Sequence, residues 1–335
     1  LTIGDKMMKN IFAVILFVIL TSVVFAERHG SISEIVNPYM LKVDDGSLYV
    51  VEGHQVYIYK LNPLTLLKKF GKKGEGPKEF RVTPRTNMGN IKIDIYKDFI
   101  LVNSLGKISF FTKDGLFKRE IRTGGSWRSF KYLEDAFVGF GGFSREKNLQ
   151  FIHLRIYNSL DQGGLDFFKQ QVFYNPGHVN PFLMYGPNFY TANGHIFVEK
   201  DKNNILVFNK KGMQLKSIDI NQGYKKKKVT DPDKKAFLEY FKKNPAFKSI
   251  YERIRKDLKL YAHFPGIRLF EFADNKIYII RWTRSGDYQD IAIYDLEGRL
   301  IKNGKVIFKM KNMIAPHAYT IHQDTIYQLI ENDAE

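Results

Sequence analysis

One phrase recurs along the chain. Two or three apolar residues at alternate positions and an aromatic lead into a polar turn, which often ends in glycine, and a second short strand follows. It reads VYIYKLNPLTLLKKF from Val56, ISFFTKDGLFKREI from Ile108, LRIYNSLDQGG from Leu154, ILVFNKKGMQLKSI from Ile205 and IAIYDLEGRLIKNG from Ile291. The intervals are 52, 46, 51 and 86 residues, which is the spacing of a repeated unit broken once by an insertion. A sheet of about four strands cannot bury both faces by itself, so units of this size stack face to face around a shared axis.

Each phrase is expected to supply the last two strands of such a unit, and a middle strand precedes it. SLYVVEG from Ser47, DFILVNS from Asp98, HIFVEK from His195 and KIYIIRW from Lys276 all alternate or run apolar, as strands buried on both sides do. Lys113-Asp114-Gly115 and Leu296-Glu297-Gly298 place glycine where a hairpin needs positive φ. Five units are visible, and HAYTIHQDTIYQLIEND from His317 supplies two strands of a sixth. The expectation is an all-β, six-bladed β-propeller over residues 27–335, with residues 27–36 adding the outer strand that closes the last blade.

The long interval holds an insertion over residues 224–264, before or within the fifth blade. It opens on the run Lys225, Lys226, Lys227, Lys228. Asp231 and Pro232 look like an N-cap and first helical residue. Phe237, Tyr240 and Phe241 then share a face, Asn244-Pro245 restarts the helix, and Phe247, Ile250, Tyr251, Ile254 and Leu258 follow at helical spacing. Two helices docked by their apolar face on the propeller are expected.

Residues 1–26 are expected to be upstream sequence and a signal peptide. A basic stretch ends at Lys9, Ile11 to Leu20 is apolar, and Val24 and Ala26 suit a cleavage site. Export to a periplasmic or extracellular space follows from that reading. The chain has no cysteine, so it has no disulfide, no thiolate metal site, no thiol nucleophile and no cysteine to carry a lipid. A formal charge of +17 draws polyanions, and in an exported protein those are acidic glycans or an anionic membrane surface, not nucleic acid. The four-lysine run is the candidate membrane contact. A monomer is expected.

GKKGEGPKEF, Gly71 to Phe80, resembles the phrase G-x-x-G-x-G-P-x-E-F that ends the first blade of a bacterial exported six-bladed β-propeller family related to NHL-repeat proteins. Gly71, Gly74, Gly76, Pro77, Glu79 and Phe80 carry the match, and Leu329, Ile330, Glu331 and Asn332 look like the family's L-V-E-N tail. The chain departs from relatives that carry a lipid-anchoring cysteine and from those that continue into a tryptophan-containing end. A phosphate-loop reading of the glycines fails, because no helix opens after them and no Lys-Ser/Thr pair follows; a crossover between blades is expected.

No catalytic signature is assembled. The eight histidines are scattered, none with a carboxylate at metal-ligand spacing, and G-x-S-x-G is absent. In a propeller, ligands bind over the central channel, on residues just before or at the start of each innermost strand. That rule selects Arg85, Arg128, Tyr185, Asn188, Arg268 and His317 as ligand-binding candidates. Arginines with an amide, a phenol and an imidazole suit a carboxylate, sulfate or phosphate. The expected function is a non-enzymatic binding propeller that uses no cofactor or metal and recognises an anionic small molecule, a glycan or an envelope protein. The alternative is a propeller enzyme, either a metal-dependent lactonase or lyase or a hydrolase of acidic sugars, which stoichiometric zinc or calcium at the axis would favour.

Overall fold

The computed structural model describes residues 30–81, 91–123, 130–158, 163–175, 177–184, 186–283 and 288–330. The fold is an all-β propeller of five four-stranded antiparallel blades. Listed from the axis outward, the first comprises Met40–Asp44, Ser47–Glu52, Gln55–Lys60 and Thr65–Phe70, and the second Lys92–Ile95, Ile100–Ser104, Lys107–Phe111 and Phe117–Arg122. The third comprises Phe130–Leu133, Ala136–Glu146, Leu149–Tyr157 and Leu165–Gln171. Phe189–Ala192, His195–Lys200, Asn204–Asn209 and Gln214–Asp219 make the fourth, and Leu269–Ala273, Lys276–Ile280, Tyr288–Tyr294 and Leu300–Ile307 the fifth.

Local turn chemistry explains why the phrase repeats. In three blades the innermost strand joins the second through a two-residue loop with both residues at positive φ: Asp45-Gly46, Asn193-Gly194 and Asp274-Asn275. This backbone matches the twist of the strands, and Asp, Asn and Gly tolerate it. In the outer hairpins Gly115 and Gly298 have φ of 77° and 89°. A side chain there would also strike the preceding blade, 2.8 Å from Phe70 and from Ile218 respectively. Glycine is therefore demanded twice, by the turn and by blade stacking.

The core is a series of layers between neighbouring blades. Tyr49, Val51, Ile93 and Phe111 fill the first gap; Phe110, Phe130 and Tyr157 the second; Leu154, Phe189 and Phe208 the third; Val207, Phe270 and Tyr294 the fourth. Burying each large apolar side chain stabilises the stack by about 1.5–3 kcal/mol.

The six-bladed expectation is corrected to five. The last unit is a two-stranded hairpin, Tyr319–His322 with Thr325–Gln328, and no third strand joins it among the described residues. Its inner strand lies beside the innermost strands of the fifth and first blades. Residues 30–36 form no strand. Ile32 and Ile35 pack in one apolar cluster with Leu41, Leu48, Leu61 and Leu64 of the first blade and Ala318, Tyr327 and Leu329 of the hairpin, and the amides of Val36 and Asn37 donate to Glu52 Oε1 at 2.9 and 2.5 Å. Held to the first blade by those hydrogen bonds, the segment packs beside the hairpin without pairing as its strand. Residues 27–29 lie outside the described residues.

The insertion follows the fourth blade and precedes the fifth. Its helices are Asp231–Lys243 and Tyr251–Asp257, joined by a 3-10 turn over Pro245–Ile250. The N-cap is Thr230, one residue earlier than expected; its amide and hydroxyl donate to Asp233 at 2.8 and 2.7 Å, and Pro232 occupies the second helical position. Phe237, Phe241 and Ile254 are fully buried against Val179, Phe182, Phe264, Trp282 and Ile314, so the helices build a second core at one end of the propeller. Among the described residues no helix is long and apolar enough to cross a membrane; the apolar run of residues 11–26 lies outside them.

The glycine phrase forms a short parallel pairing of Lys72–Lys73 with Glu79–Phe80. Glu79 accepts from the Gly76 amide at 2.8 Å and pairs with Lys72 at 3.0 Å, and Phe80 is buried between the first two blades. It is a crossover between blades.

Candidate functional site

Along each innermost strand, alternate side chains point at the neighbouring blade and at the axis. The axial set includes Lys42, Lys92, Asp94, Lys131, Tyr190, Glu271 and Tyr319. Lys42 Nζ meets Glu271 Oε1 at 2.8 Å, Glu271 Oε2 accepts from the Tyr190 hydroxyl at 3.1 Å, and Lys131 pairs with Asp94 while lying 5.2 Å from the Tyr190 ring centroid. Burial pushes the Tyr190 and Tyr319 hydroxyls well above the usual phenol range. For Lys42, burial works against the charge, but Glu271 and Asp94 overcome it and raise its pKa. Lys92 goes the other way: the surrounding protein lowers its pKa, Lys131 adds to the effect, and Asp94 opposes it. Lys92 nevertheless has solvent-accessible surface, because it faces the open channel.

A cavity of about 2080 Å³ runs from the end of the channel where the innermost strands begin along the gap between the fifth and first blades. Asn188, Arg268 and His317 all stand on its wall, together with Lys92, Tyr190, Lys202 and Tyr319. The insertion roofs part of it through Tyr240 and Asn244, beside Phe182 and Trp282. Arg85, Arg128 and Tyr185 lie outside the described residues.

Arg268 immediately precedes the innermost strand of the fifth blade and is 8% exposed. Its guanidinium donates to Gln289 Oε1 at 2.9 Å and to the Met313 carbonyl at 2.7 Å, and it lies 4.7 Å from the Trp282 ring centroid. Among the described residues no carboxylate reaches it, and its buried Nε has no hydrogen-bond partner. Burial lowers its pKa to about 10. Asn188 is used differently: its amide nitrogen donates to Glu199 Oε2 at 2.7 Å, and Glu199 Oε1 pairs with Lys202 Nζ at 2.6 Å in the interior. Asn188 thus orients a buried ion pair, and Lys202 carries that pair to the cavity wall. His317 is half-buried.

The cavity wall is strongly biased in charge. Among the described residues it carries Lys92, Lys202, Arg268, Lys302, Lys305, Lys309 and Lys311 against one carboxylate, Asp324, which is held by Lys276 at 2.6 Å and by the Tyr278 hydroxyl at 2.5 Å. Lys92 and Lys202 escaped the sequence reading, which set the start of the second blade's innermost strand at Arg85, ahead of Lys92, and did not look past strand ends; every second residue along the innermost strands would have found Lys42, Lys92, Lys131 and Tyr190. The lysine run lies elsewhere, with Lys225, Lys226 and Lys228 exposed and Lys227 tied to Asp290 at 2.8 Å. Among the described residues no three His, Asp or Glu side chains come together as a metal site.

No protein-family model and no curated protein matches the chain. Among solved structures it is similar to the β-propeller domain of the trilobed protease from Pyrococcus furiosus, described as having an open velcro topology. The identity is 11% over 90% of this chain and 86% of that one, with a TM-score of 0.42. It is also similar to BBS1N, solved in complex with ARL6DN, at 13% identity over 87% of this chain and 76% of that one, TM-score 0.36. A third is BamB from Moraxella catarrhalis, at 10% identity over 84% of this chain and 64% of that one, TM-score 0.32.

Proposed function

We propose that this propeller is a non-enzymatic binding module of the cell envelope. In this reading it takes the anionic group of a small molecule or acidic glycan into the channel-end cavity. The observation that carries the reading is Arg268, a buried guanidinium with no carboxylate near it among the described residues and an unpartnered Nε. A buried cation without a counter-ion is costly, and a bound carboxylate, sulfate or phosphate would relieve that cost through charge-assisted hydrogen bonds. Lys92, which stands on the same cavity wall with Lys131 as a neighbouring cation, is the second contact, and Tyr190 and Tyr319 line the cavity beside it. Export rests on the apolar run ahead of residue 27. The exposed Lys225, Lys226 and Lys228 would hold the protein near an anionic surface without entering the site.

The test is titration calorimetry with oligogalacturonate, sulfated oligosaccharide and inorganic phosphate as probes. At least one should bind, and Arg268→Gln and Lys92→Gln should each weaken it at least tenfold while circular dichroism stays unchanged. Affinity untouched in both variants would overturn the site.

A further inference from the structure

We propose that the gap beside the terminal hairpin, where no third strand follows among the described residues, is a docking groove for an extended, acidic segment of a partner protein, added as a strand to the edge of that hairpin. This is separate from the anion site at the channel end, although one continuous cavity joins them.

Among the described residues no strand pairs with the outer edge of the hairpin. Its loop is Gln323-Asp324, both at positive φ, and the pairing register runs His322 with Thr325, Ile321 with Ile326, Thr320 with Tyr327 and Tyr319 with Gln328. The Leu329 amide donates to the Ala318 carbonyl at 2.9 Å, which fixes the alternation: Thr320 and Tyr327 exchange hydrogen bonds, whereas Ile326 and Gln328 direct their N–H and C=O groups away from the hairpin. No backbone partner takes up those four groups among the described residues. In the five blades a third strand occupies this position.

The walls of the groove are half-finished in the same place. In the first and fourth blades the central residues of the third strand are fully buried on both faces, as at Tyr57 to Tyr59 and Ile205 to Phe208. In the fifth blade Ile291 and Ile293, on the face turned toward the hairpin, stay only half-buried and line the cavity. On the opposite side Leu61 and Leu64 of the first blade are already packed by Gly30, Ile32 and Ile35, which form that wall. A strand inserted here would bury its apolar side chains against Ile291 and Ile293 on one side.

Charge selects the occupant. Lys302 and Lys305 of the fifth blade's outer strand are exposed on the groove, and Lys309 follows at its inner end. No carboxylate lies within ion-pair distance of any of them among the described residues; Asp324 is engaged by Lys276 and Tyr278, and Lys302 acts on it only at longer range. Apolar walls rimmed by lysines call for a strand that alternates apolar and acidic residues, with main-chain hydrogen bonds giving affinity and the acids giving selectivity.

The experiment uses the full chain and a fluorescein-labelled peptide of alternating valine and glutamate, read by anisotropy, with amide hydrogen exchange on the protein. The expected results are saturable binding, new protection at the Ile326 and Gln328 amides, and at least tenfold weakening in Lys302→Glu/Lys305→Glu, whose exposed positions leave the fold intact. A peptide with proline at its central valine keeps the charge but lacks the donor, and should also lose at least tenfold. Equal binding of the proline peptide would reduce the effect to charge alone and overturn strand addition. Protection of Ile326 and Gln328 before peptide is added would show the groove filled by the chain's own termini, or by a second copy if it rises with concentration; either overturns the proposal. Arg268→Gln should not alter peptide affinity, so failure of the anion site and failure of the groove are distinguishable.

Discussion

The Arg268 guanidinium lies 4.7 Å from the centroid of the Trp282 ring, and this contact couples the candidate site to the insertion. Trp282 belongs to the apolar cluster built by Phe182, Phe237 and Phe264, with the Phe264 ring stacked on it at 5.1 Å, so the helices that roof the cavity also hold the surface on which the cation rests. Such a contact contributes about 0.5–2 kcal/mol, toward the upper end when water is excluded, which offsets part of the cost of burying the charge.

The depressed pKa of Arg268 has a definite sign in the pH dependence of stability. The folded state releases the proton at about 10, while the unfolded chain holds it to higher pH. Between those values the unfolded state binds more protons, so the unfolding free energy rises with pH. Urea unfolding of wild type and Arg268→Gln should therefore differ by a constant amount from pH 7 to 9, and the difference should shift in favour of wild type as pH passes 10. A flat difference up to pH 11 would show that burial does not perturb the group.

Lys202 and Glu199 form an interior ion pair at 2.6 Å, with Glu199 0% exposed. Lys202→Met leaves that carboxylate held only by Asn188, and the expected loss is about 3–5 kcal/mol in urea unfolding. Glu199→Gln/Lys202→Met, which removes both charges, should recover much of it. If the double variant is no more stable than Lys202→Met, the pair is not the source of the loss.

Gly71 has φ of 92°, and a side chain there would lie 2.4 Å from the His54 carbonyl and 2.5 Å from the Phe80 ring. Gly71→Ala should cost about 2 kcal/mol or more. At Gly53, φ is 55° but nothing lies within 4 Å of an added Cβ, so Gly53→Ala should cost about 1 kcal/mol. Denaturant midpoints of the two variants separate steric closeness from backbone conformation, and equal losses would refute the crossover contact.

Much of the blade architecture was legible because it is local. The continuous apolar runs in Ser47–Glu52 and Lys276–Ile280, and glycine at Gly115 and Gly298, are properties of a few consecutive residues, and they marked strands and turns without reference to the rest of the chain. The insertion was equally plain, because Phe237, Phe241 and Ile254 recur at helical spacing; its start was misread by one residue because Thr230 and Asp231 are both competent caps. Asn188, Arg268 and His317 were reached by a rule about strand starts. Lys92 and Lys202 were not, since the rule was applied at Arg85, ahead of the strand that begins at Lys92, and Lys202 follows a strand end.

The amino-acid sequence by itself determined five repeated sheets, their hairpins and the helical interruption, because each rests on contacts between residues close in the chain. Only the tertiary structure decided that the sixth unit stops at two strands, that residues 30–36 settle on the first blade, and that Arg268 faces no carboxylate among the described residues while Lys42 and Glu271 find each other across the axis. Those outcomes depend on competition between segments hundreds of residues apart for the same surface. Neither the spacing nor the type of any one residue encodes which segment prevails.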